Sequence, residues 1–461
     1  MLTVVKRPGA RYNQAMEEAK KRDQWWSFAG VIILALILPG FLKLANSITR
    51  YFTGAEGRLA AVTVDIGRPL GQLPAPWEAL AQGSDNLKGF TDGINDQLTA
   101  VKPEYIRIDH IYDAFNVVGR DSNGGLTFNW ADLDNTIKKI TATGAMPFLS
   151  LSYMPTAISS GDNLAPPKNW NEWAGVVQKT VEHVSGDLAL NNVYYEVWNE
   201  PDLFGKWTMG GSKDYRTLYR YAVSGAIKAQ RVKPFKIGGP ATTGLYKSWI
   251  DNFFPFILSN HLRLDFFSWH RYDLNLAQYE DDINNVDNWL ESQPYFANVE
   301  KIISEMGPNS EMGKENDTQV GAAHMVATAR TLMFNVKYGF NFAISGYWGM
   351  VGKPRFKALN MLASLGKNRL SLTGEGSWVR AIGATDNKKY QVLLVNYDPK
   401  GSHRENVPVS FVGLTQKNYN LTTSMLDGGK YSADMATTAS FLQTIVPMEA
   451  NSVAMVELTP K

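Results

Sequence analysis

Val193-Tyr194-Tyr195-Glu196-Val197-Trp198-Asn199-Glu200-Pro201 alternates aromatic and β-branched residues, then breaks at an Asn-Glu-Pro corner. The alternation reads as a buried strand, and the proline ends its ladder just past a carboxylate. A glutamate at the carboxyl end of a strand, held beside an amide and a tryptophan, is well placed for acid–base chemistry. The same residues also read as a helix start, with Asn199 as cap and Glu200 as a first-turn acid. The surrounding chain has to decide between the two.

Outward from this stretch a rhythm runs in both directions. Short apolar runs at 59–67 (LAAVTVDIG), 105–112, 145–152, 194–201, 236–241, 266–272, 301–307 and 342–350 (FAISGYWGM) alternate with helical patterns. The helical patterns fall near 85–101, 130–142, 170–185, 214–232, 246–259, 276–292, 319–337 and 355–365. The strands are near-continuous apolar runs, as parallel strands covered on both faces are. Eight such units across 59–366 predict an α/β fold, a (β/α)8 TIM barrel. A doubly wound open sheet would need a glycine-rich phosphate loop after its first strand, and Asp65-Ile66-Gly67-Arg68-Pro69 is none. Beyond Gly366 the texture changes to short β-type runs separated by turn signals such as Asp427-Gly428-Gly429. Residues 367–461 therefore read as a small C-terminal antiparallel β-sandwich.

The other end of the chain differs again. Residues 1–24 form a polar, basic tail, and 25–42 (WWSFAGVIILALILPGFL) carry no charge. That length crosses a bilayer, and Trp25-Trp26 suits its interfacial belt. The expectation is one N-terminal transmembrane helix over 25–45 and a linker over 46–58. A cleaved signal peptide is the competing reading, with Ala45 and Ser47 as a small-x-small site. The basic flank places the N-terminus in the cytoplasm and the rest in the periplasm or outside the cell.

Composition narrows the chemistry. The 461 residues carry a net charge of +2, which gives no broad electrostatic case for nucleic acid. With no cysteine, disulfides, thiolate catalysis and Cys-ligated zinc are excluded. Thirteen Trp and 20 Tyr exceed the needs of a core and suit stacking on sugar rings. The histidines lack HExxH-type spacing, so neither a metal nor another cofactor is expected.

In a barrel the active site lies at the carboxyl ends of the strands. Strand two brings Arg107, Asp109 and His110 there, strand four Trp198, Asn199 and Glu200, and strand six His270 and Tyr272. Strand seven brings Glu305 and strand eight Trp348. Glu200 and Glu305 thus face each other across a barrel mouth, and two opposed carboxylates are what glycosidic bond cleavage needs.

Asn199-Glu200-Pro201 with Glu305 in IISEMG, together with FFSWHRYD and KPRFKALNMLASLG, resembles the clan A glycoside hydrolases. Within them the chain is most similar to glycoside hydrolase family 39, which groups β-xylosidases, α-iduronidases and bacterial exopolysaccharide hydrolases. The resemblance covers 59–461. It implies Glu200 as general acid/base and Glu305 as nucleophile of a retaining double displacement, with carboxyls about 5–5.5 Å apart. Asn199 would bond the sugar 2-hydroxyl or, alternatively, cap a helix. Arg107 and Tyr272 would keep Glu305 ionised, or form an ordinary barrel-mouth salt bridge. His270 would touch substrate or be structural, and Trp348 would be a stacking platform or core. One departure stands out: the family's Arg-x-His on strand two is here Arg107-Ile108-Asp109, with His110 expected on the strand's other face.

The reading is a membrane-anchored retaining glycosidase acting on a poly- or oligosaccharide outside the cytoplasm, with association to a polysaccharide export complex as an expected setting. Its alternative is a non-catalytic carbohydrate-binding or scaffold protein of such an export system.

Overall fold

Barrel closure begins one segment later than the sequence pattern implies. The computed structural model describes residues 57–83, 87–311, 313–437 and 440–461. The expected tail, anchor and most of the linker lie outside them. Among the described residues no helix is long and apolar enough to cross a membrane.

In chain order the first half runs β1 (Val62–Gln72), β2 (Ala79–Gln82), α1 (Asn95–Ala100), β3 (Tyr105–Ile108), a hairpin of β4 (Val118–Arg120) and β5 (Leu126–Phe128), α2 (Ala131–Ala142), β6 (Met146–Ser150), α3 (Trp170–Val181), β7 (Val193–Glu196) and α4 (Tyr215–Lys228). Then follow β8 (Phe235–Thr242), α5 (Lys247–Ser259), β9 (Phe266–Tyr272), α6 (Leu276–Glu291), β10 (Glu300–Gly307), α7 (Gln319–Leu332), β11 (Tyr338–Phe342) and α8 (Pro354–Ala363). The parallel strands β2, β3, β6, β7, β8, β9, β10 and β11 close into a barrel, β11 pairing back onto β2 through Asn341 and Leu80.

Of the run at 59–67, expected as strand one, residues 62–67 instead belong to β1, which pairs with the C-terminal sheet. Strand one is the four-residue Ala79–Gln82, fully buried and too short to show a pattern. Strand eight is Tyr338–Phe342, so Tyr347 and Trp348 sit on the loop that follows it. The helices start where the sequence provides caps: Asn169, Asp214 and Asn275 side chains accept amide hydrogens at the starts of α3, α4 and α6. Pro354 opens α8, where its missing N–H costs nothing.

Inside the barrel, Tyr105, Phe148, Tyr194, Phe266, Tyr338 and Phe340 form an aromatic plug. Tyr105 meets Tyr194 edge-on at 4.9 Å, and Phe148 stacks on Tyr194 at 5.2 Å. Gly238 is required where β8 passes β9, since a Cβ there would lie 2.1 Å from the Phe266 carbonyl oxygen. Inward side chains recur every second residue, so the next ones toward the strand ends are Arg107 after Tyr105 and Glu196 after Tyr194. The plug is thus the floor on which the polar mouth is built.

The C-terminal strands are β12 (Asn368–Thr373), β13 (Val379–Thr385), β14 (Tyr390–Asn396), β15 (Glu405–Val412), β16 (Asn418–Met425), β17 (Lys430–Ala436), β18 (Phe441–Met448) and β19 (Ser452–Pro460). With β1 they form one nine-stranded sheet, larger than the expected small sandwich and not wholly antiparallel, because β1 pairs parallel to β15. Val64, Leu394, Phe411, Leu442 and Val456 share one apolar cluster although β18 and β19 are distant in the strand order. The sheet therefore curls over its own core.

Barrel and sheet meet along α7. Arg330 pairs with Glu375 at 2.7 Å, and the Tyr397 hydroxyl donates to the Leu274 carbonyl at 2.6 Å. His324 is buried in this seam between Tyr279 and Tyr397 and donates from Nε2 to the Asp273 carbonyl at 2.9 Å. Burial holds its imidazole down at about 4. A histidine depressed in the fold binds fewer protons there than in the unfolded chain, so stability is complete above about pH 6.5 and falls as pH drops toward 4. The loss should reach roughly 3 kcal/mol at most. Thermal unfolding from pH 7 to 4 should show this slope, and His324→Gln should flatten it; an unchanged slope in the variant would rule the histidine out.

Candidate active site

Arg107 is completely buried at the end of β3 and forks to three partners. Its Nε donates to Glu196 at 2.8 Å, its Nη1 to Glu305 at 2.7 Å and its Nη2 to the Asn199 side-chain oxygen at 2.7 Å. A fixed planar donor set is what lets one side chain aim groups from β3, β7 and β10 at once. Glu196 was absent from the residues expected at the mouth. Its place beneath Asn199, one inward step above Tyr194, could have been read from strand alternation.

Glu305 also accepts from the Tyr272 hydroxyl at 2.9 Å and lies 3.5 Å from His270 Nδ1. β9 and β10 run side by side with Glu305 opposite His270 in register. Burial alone would push the Glu305 carboxyl up, but His270, Arg107 and the Tyr272 hydroxyl outweigh it and hold it below the usual carboxylate range. Burial and then the neighbouring carboxylates push the Tyr272 phenol well above its usual range, so it stays a donor.

Glu200 lies four residues past β7, on a backbone that few side chains tolerate. Trp198 has φ +76° and Glu200 φ +45°. Such residues cost about 1–3 kcal/mol each and persist only where neighbours fix them. Here the Glu200 N–H donates to the Ala241 carbonyl at 2.9 Å, and Ser150 Oγ donates to the Trp198 carbonyl at 2.8 Å. The next helix begins only at Tyr215 and is capped by Asp214, so Asn199 caps nothing. Instead Asn199 Nδ2 donates to the Tyr153 hydroxyl at 3.0 Å.

His270 Nδ1 stands 2.8 Å from Glu200 Oε1. Glu305, held as an anion, lies 3.5 Å from the same nitrogen, so that nitrogen carries the proton. Burial opposes a charge on His270, yet Glu305 and Glu200 outweigh it and raise the imidazole above its usual value. Glu200, His270 and Glu305 offer ligand atoms all within 4.8 Å of one another, the one such grouping among the described residues that could hold a cation.

The remaining candidates separate. Asp109 and His110 both line the mouth, contrary to the expectation that His110 points to the far face. A left-handed turn at His110, φ +53°, brings its ring back over Tyr153 at 4.5 Å, where Asp113 holds it at 2.9 Å. Burial pushes the Asp109 carboxyl up to about 6 against the pull of His110 and Arg107. Trp348 lines the mouth from the loop after β11, packed edge-on to Tyr347 at 5.0 Å. Trp198 does not reach the mouth: it is fully buried, donates to the Phe204 carbonyl at 2.8 Å and packs on Trp207 and Tyr153. It is a wall behind the loop rather than a surface for a ligand.

These groups surround a cavity of about 590 Å³, completed by Gln82, Asp202, Leu203, Phe204 and Phe342. Another cavity, of about 530 Å³, opens at the opposite ends of the barrel strands around Trp77, Glu78 and Glu104. Only the first contains the opposed pair, and carboxylate oxygens within 4.8 Å match the short separation of glycosidases that retain configuration.

The family model of glycosyl hydrolases family 39 matches residues 60–324. A β-xylosidase from Caldicellulosiruptor saccharolyticus is 29% identical over 236 residues, 48% of this chain and 48% of that protein. The chain thus spans about half the length of this curated relative. A second β-xylosidase, from Geobacillus stearothermophilus, is 31% identical over 157 residues, 32% of this chain and 31% of that protein. Among solved structures, a monomeric β-xylosidase from Caulobacter crescentus CB15 superposes with a TM-score of 0.74 at 19% identity, covering 87% of this chain and 100% of that one. At such identity the likeness speaks for the fold alone.

The Arg107 fork is directly testable through stability. Arg107→Met should lower the free energy of unfolding in urea by about 3–5 kcal/mol, because Glu196 and Glu305 would share a buried site without their cation. A loss below about 1 kcal/mol would mean that the guanidinium is not what holds them.

Proposed function

Because the chain belongs to glycosyl hydrolases family 39, we propose that it is a glycosidase that cleaves a poly- or oligosaccharide with retention of configuration. The observation that carries this is the pair Glu200 and Glu305, close enough for retention and held in different surroundings. Glu305 is fastened by Arg107 and Tyr272 as an anion, the form a nucleophile needs. Glu200 stands beside His270 at the cavity edge.

In this mechanism a Glu305 oxygen attacks the anomeric carbon while Glu200 gives its proton to the departing glycosidic oxygen, and the C–O bond to the leaving group breaks. The glycosyl ester so formed removes the charge of Glu305. Glu200, now ionised, takes a proton from water, which attacks the anomeric carbon and frees Glu305. Asn199, fixed between Arg107 and Tyr153, presents its amide to the sugar 2-hydroxyl. Trp348 is the surface on which the reacting ring rests.

The reading extends to location. The charge-free run at 25–42 supports a retained anchor, and the basic residues before it support a cytoplasmic N-terminus. The barrel would then act on a polymer in the periplasm or outside the cell, beside the complex that exports it.

The following outcomes are expected. By NMR, the first-formed sugar from an aryl β-xyloside or other cleaved glycoside should keep the substrate's anomeric configuration; the opposite anomer would refute the double displacement. Glu200→Gln should lower kcat/KM by about 10²–10⁴-fold on substrates with poor leaving groups, and Glu305→Gln should bind glycan without cleaving it. Tyr272→Phe removes a hydrogen bond that favours ionised Glu305, so the acid limb of kcat/KM should move to higher pH. Protease added to intact cells bearing the full chain should digest the barrel, and its survival would refute the orientation.

A further inference from the structure

Among the described residues, Asp109 is the one buried carboxylate lining the mouth that the fold leaves without a hydrogen bond. Glu196 and Glu305 share Arg107, Glu200 meets His270, Asp113 meets His110 and Asn163, and Asp202 accepts from Thr243. Asp109 is only 4% exposed, and its Oδ1 is wholly enclosed with no partner among the described residues. Leaving a buried carboxylate unpaired is costly, and folds rarely do so without a use for it.

The surroundings show where a partner would come from. Asp109 lines the same cavity as Glu305 and feels its charge, and it is to this glutamate that the proposed retaining mechanism attaches the sugar. The neighbouring wall is cut back: a Cβ on Gly83 would lie 2.9 Å from the Phe342 ring and 3.9 Å from Asp109 Oδ2. Trp348 Nε1 and Ser345 Oγ line the same cavity and are likewise buried without partners. Donors and an acceptor thus stand unsatisfied together, as they would opposite ring hydroxyls.

Charge selects among sugars. Asp109, Glu200, Asp202, Glu305 and Glu311 line the cavity. Of its described cations, Arg271 is gripped by both oxygens of Asp282, and His110 is held by Asp113. None is left over to receive a carboxylate from a ligand.

Resting on the glycosidase reading above, we propose that Asp109 is a specificity-determining residue of the glycone site: it accepts hydroxyl hydrogen bonds from a neutral sugar ring and repels a glycone that bears a carboxylate. Where the family pattern has a histidine, this chain has an acceptor that is also an anion. A uronic acid would place a second charge against it in a site already rich in carboxylates.

The test compares the full-length protein with Asp109→Asn and Asp109→Ala on aryl glycosides of neutral pentoses and hexoses, their monodeoxy analogues and the matching aryl uronides. Asp109→Asn should raise KM for the preferred neutral glycoside about tenfold or more with a smaller change in kcat. It should also lower the neutral-to-uronide ratio of kcat/KM by at least about tenfold. Deleting the contacted hydroxyl should cost the wild type about 10–100-fold and Asp109→Ala little. Because the unpaired charge is removed, Asp109→Asn should melt at or above the wild-type temperature, which shows that the variant is folded. An active wild type whose ratio and deoxy penalties are unchanged by either substitution would overturn this proposal and leave the glycosidase reading standing. A wild type that cleaves nothing on the panel would overturn both.

Discussion

The site rests on one buried guanidinium shared by two carboxylates. Arg107 meets Glu196 at 2.7 Å and Glu305 at 2.7 Å, with the arginine and Glu196 side chains wholly out of solvent and Glu305 nearly so. Three charges in such a place cost several kcal/mol each in desolvation, and their attraction repays this only if geometry is good on every side. The arrangement is therefore a constraint on the whole barrel. β3, β7 and β10 must present their ends at fixed heights, and the aromatic plug of Tyr105, Tyr194, Phe148 and Phe340 supplies that rigidity from below. Stability gained in the plug offsets what the polar layer loses.

The same arginine makes the two glutamates unequal. Glu305 receives a guanidinium and a phenol and lies within 3.5 Å of an imidazole, all of which favour its anion. Glu200 receives only the imidazole, from a loop whose left-handed residues push it toward the cavity rather than down the barrel. The proposed double displacement needs two carboxylates in different surroundings, and the loop after β7 provides them by a strained turn instead of by distance.

Much of this was legible in the chain because it depends on local pattern. YYEVWNEP announces a strand and the carboxylate beyond it, and IISEMG announces the second. The first barrel strand was not legible. Ala79–Gln82 is four residues long, whereas 59–67 is a longer apolar run that looks the same whether it lies in a barrel or in a curled sheet. Only pairing distinguishes them, and pairing is non-local. Strand eight slipped for a related reason: Tyr338-Gly-Phe-Asn-Phe342 is short, and the richer run after it is the loop that carries Trp348. Trp198 and His110 depended on backbone conformation. A φ of +76° at Trp198 and +53° at His110 reverses the direction that strand alternation assigns to each side chain.

Where the fold tolerates expense is itself informative. A polar layer with three buried charges and an unpaired carboxylate at Asp109 sit at one end of the barrel, beside left-handed residues at Trp198, Glu200 and Ala241. Left-handed residues also occur at the far end, at Lys102, Ala189, Asn192 and Arg231. At the other end, Tyr105 donates to the Asn192 carbonyl and Tyr194 to Glu300. A scaffold that only held its sheet together would gain by neutralising the mouth, since an asparagine at 109 would remove an unpaired charge there. Unsatisfied groups that converge on one cavity are the expected form of a surface complementary to something absent from the fold, and they bind most strongly what supplies the missing partners. Under the proposed glycosidase reading, the missing partners are hydroxyls toward Asp109 and acceptors toward Trp348 and Ser345, on a sugar held in the cavity that Glu305 lines.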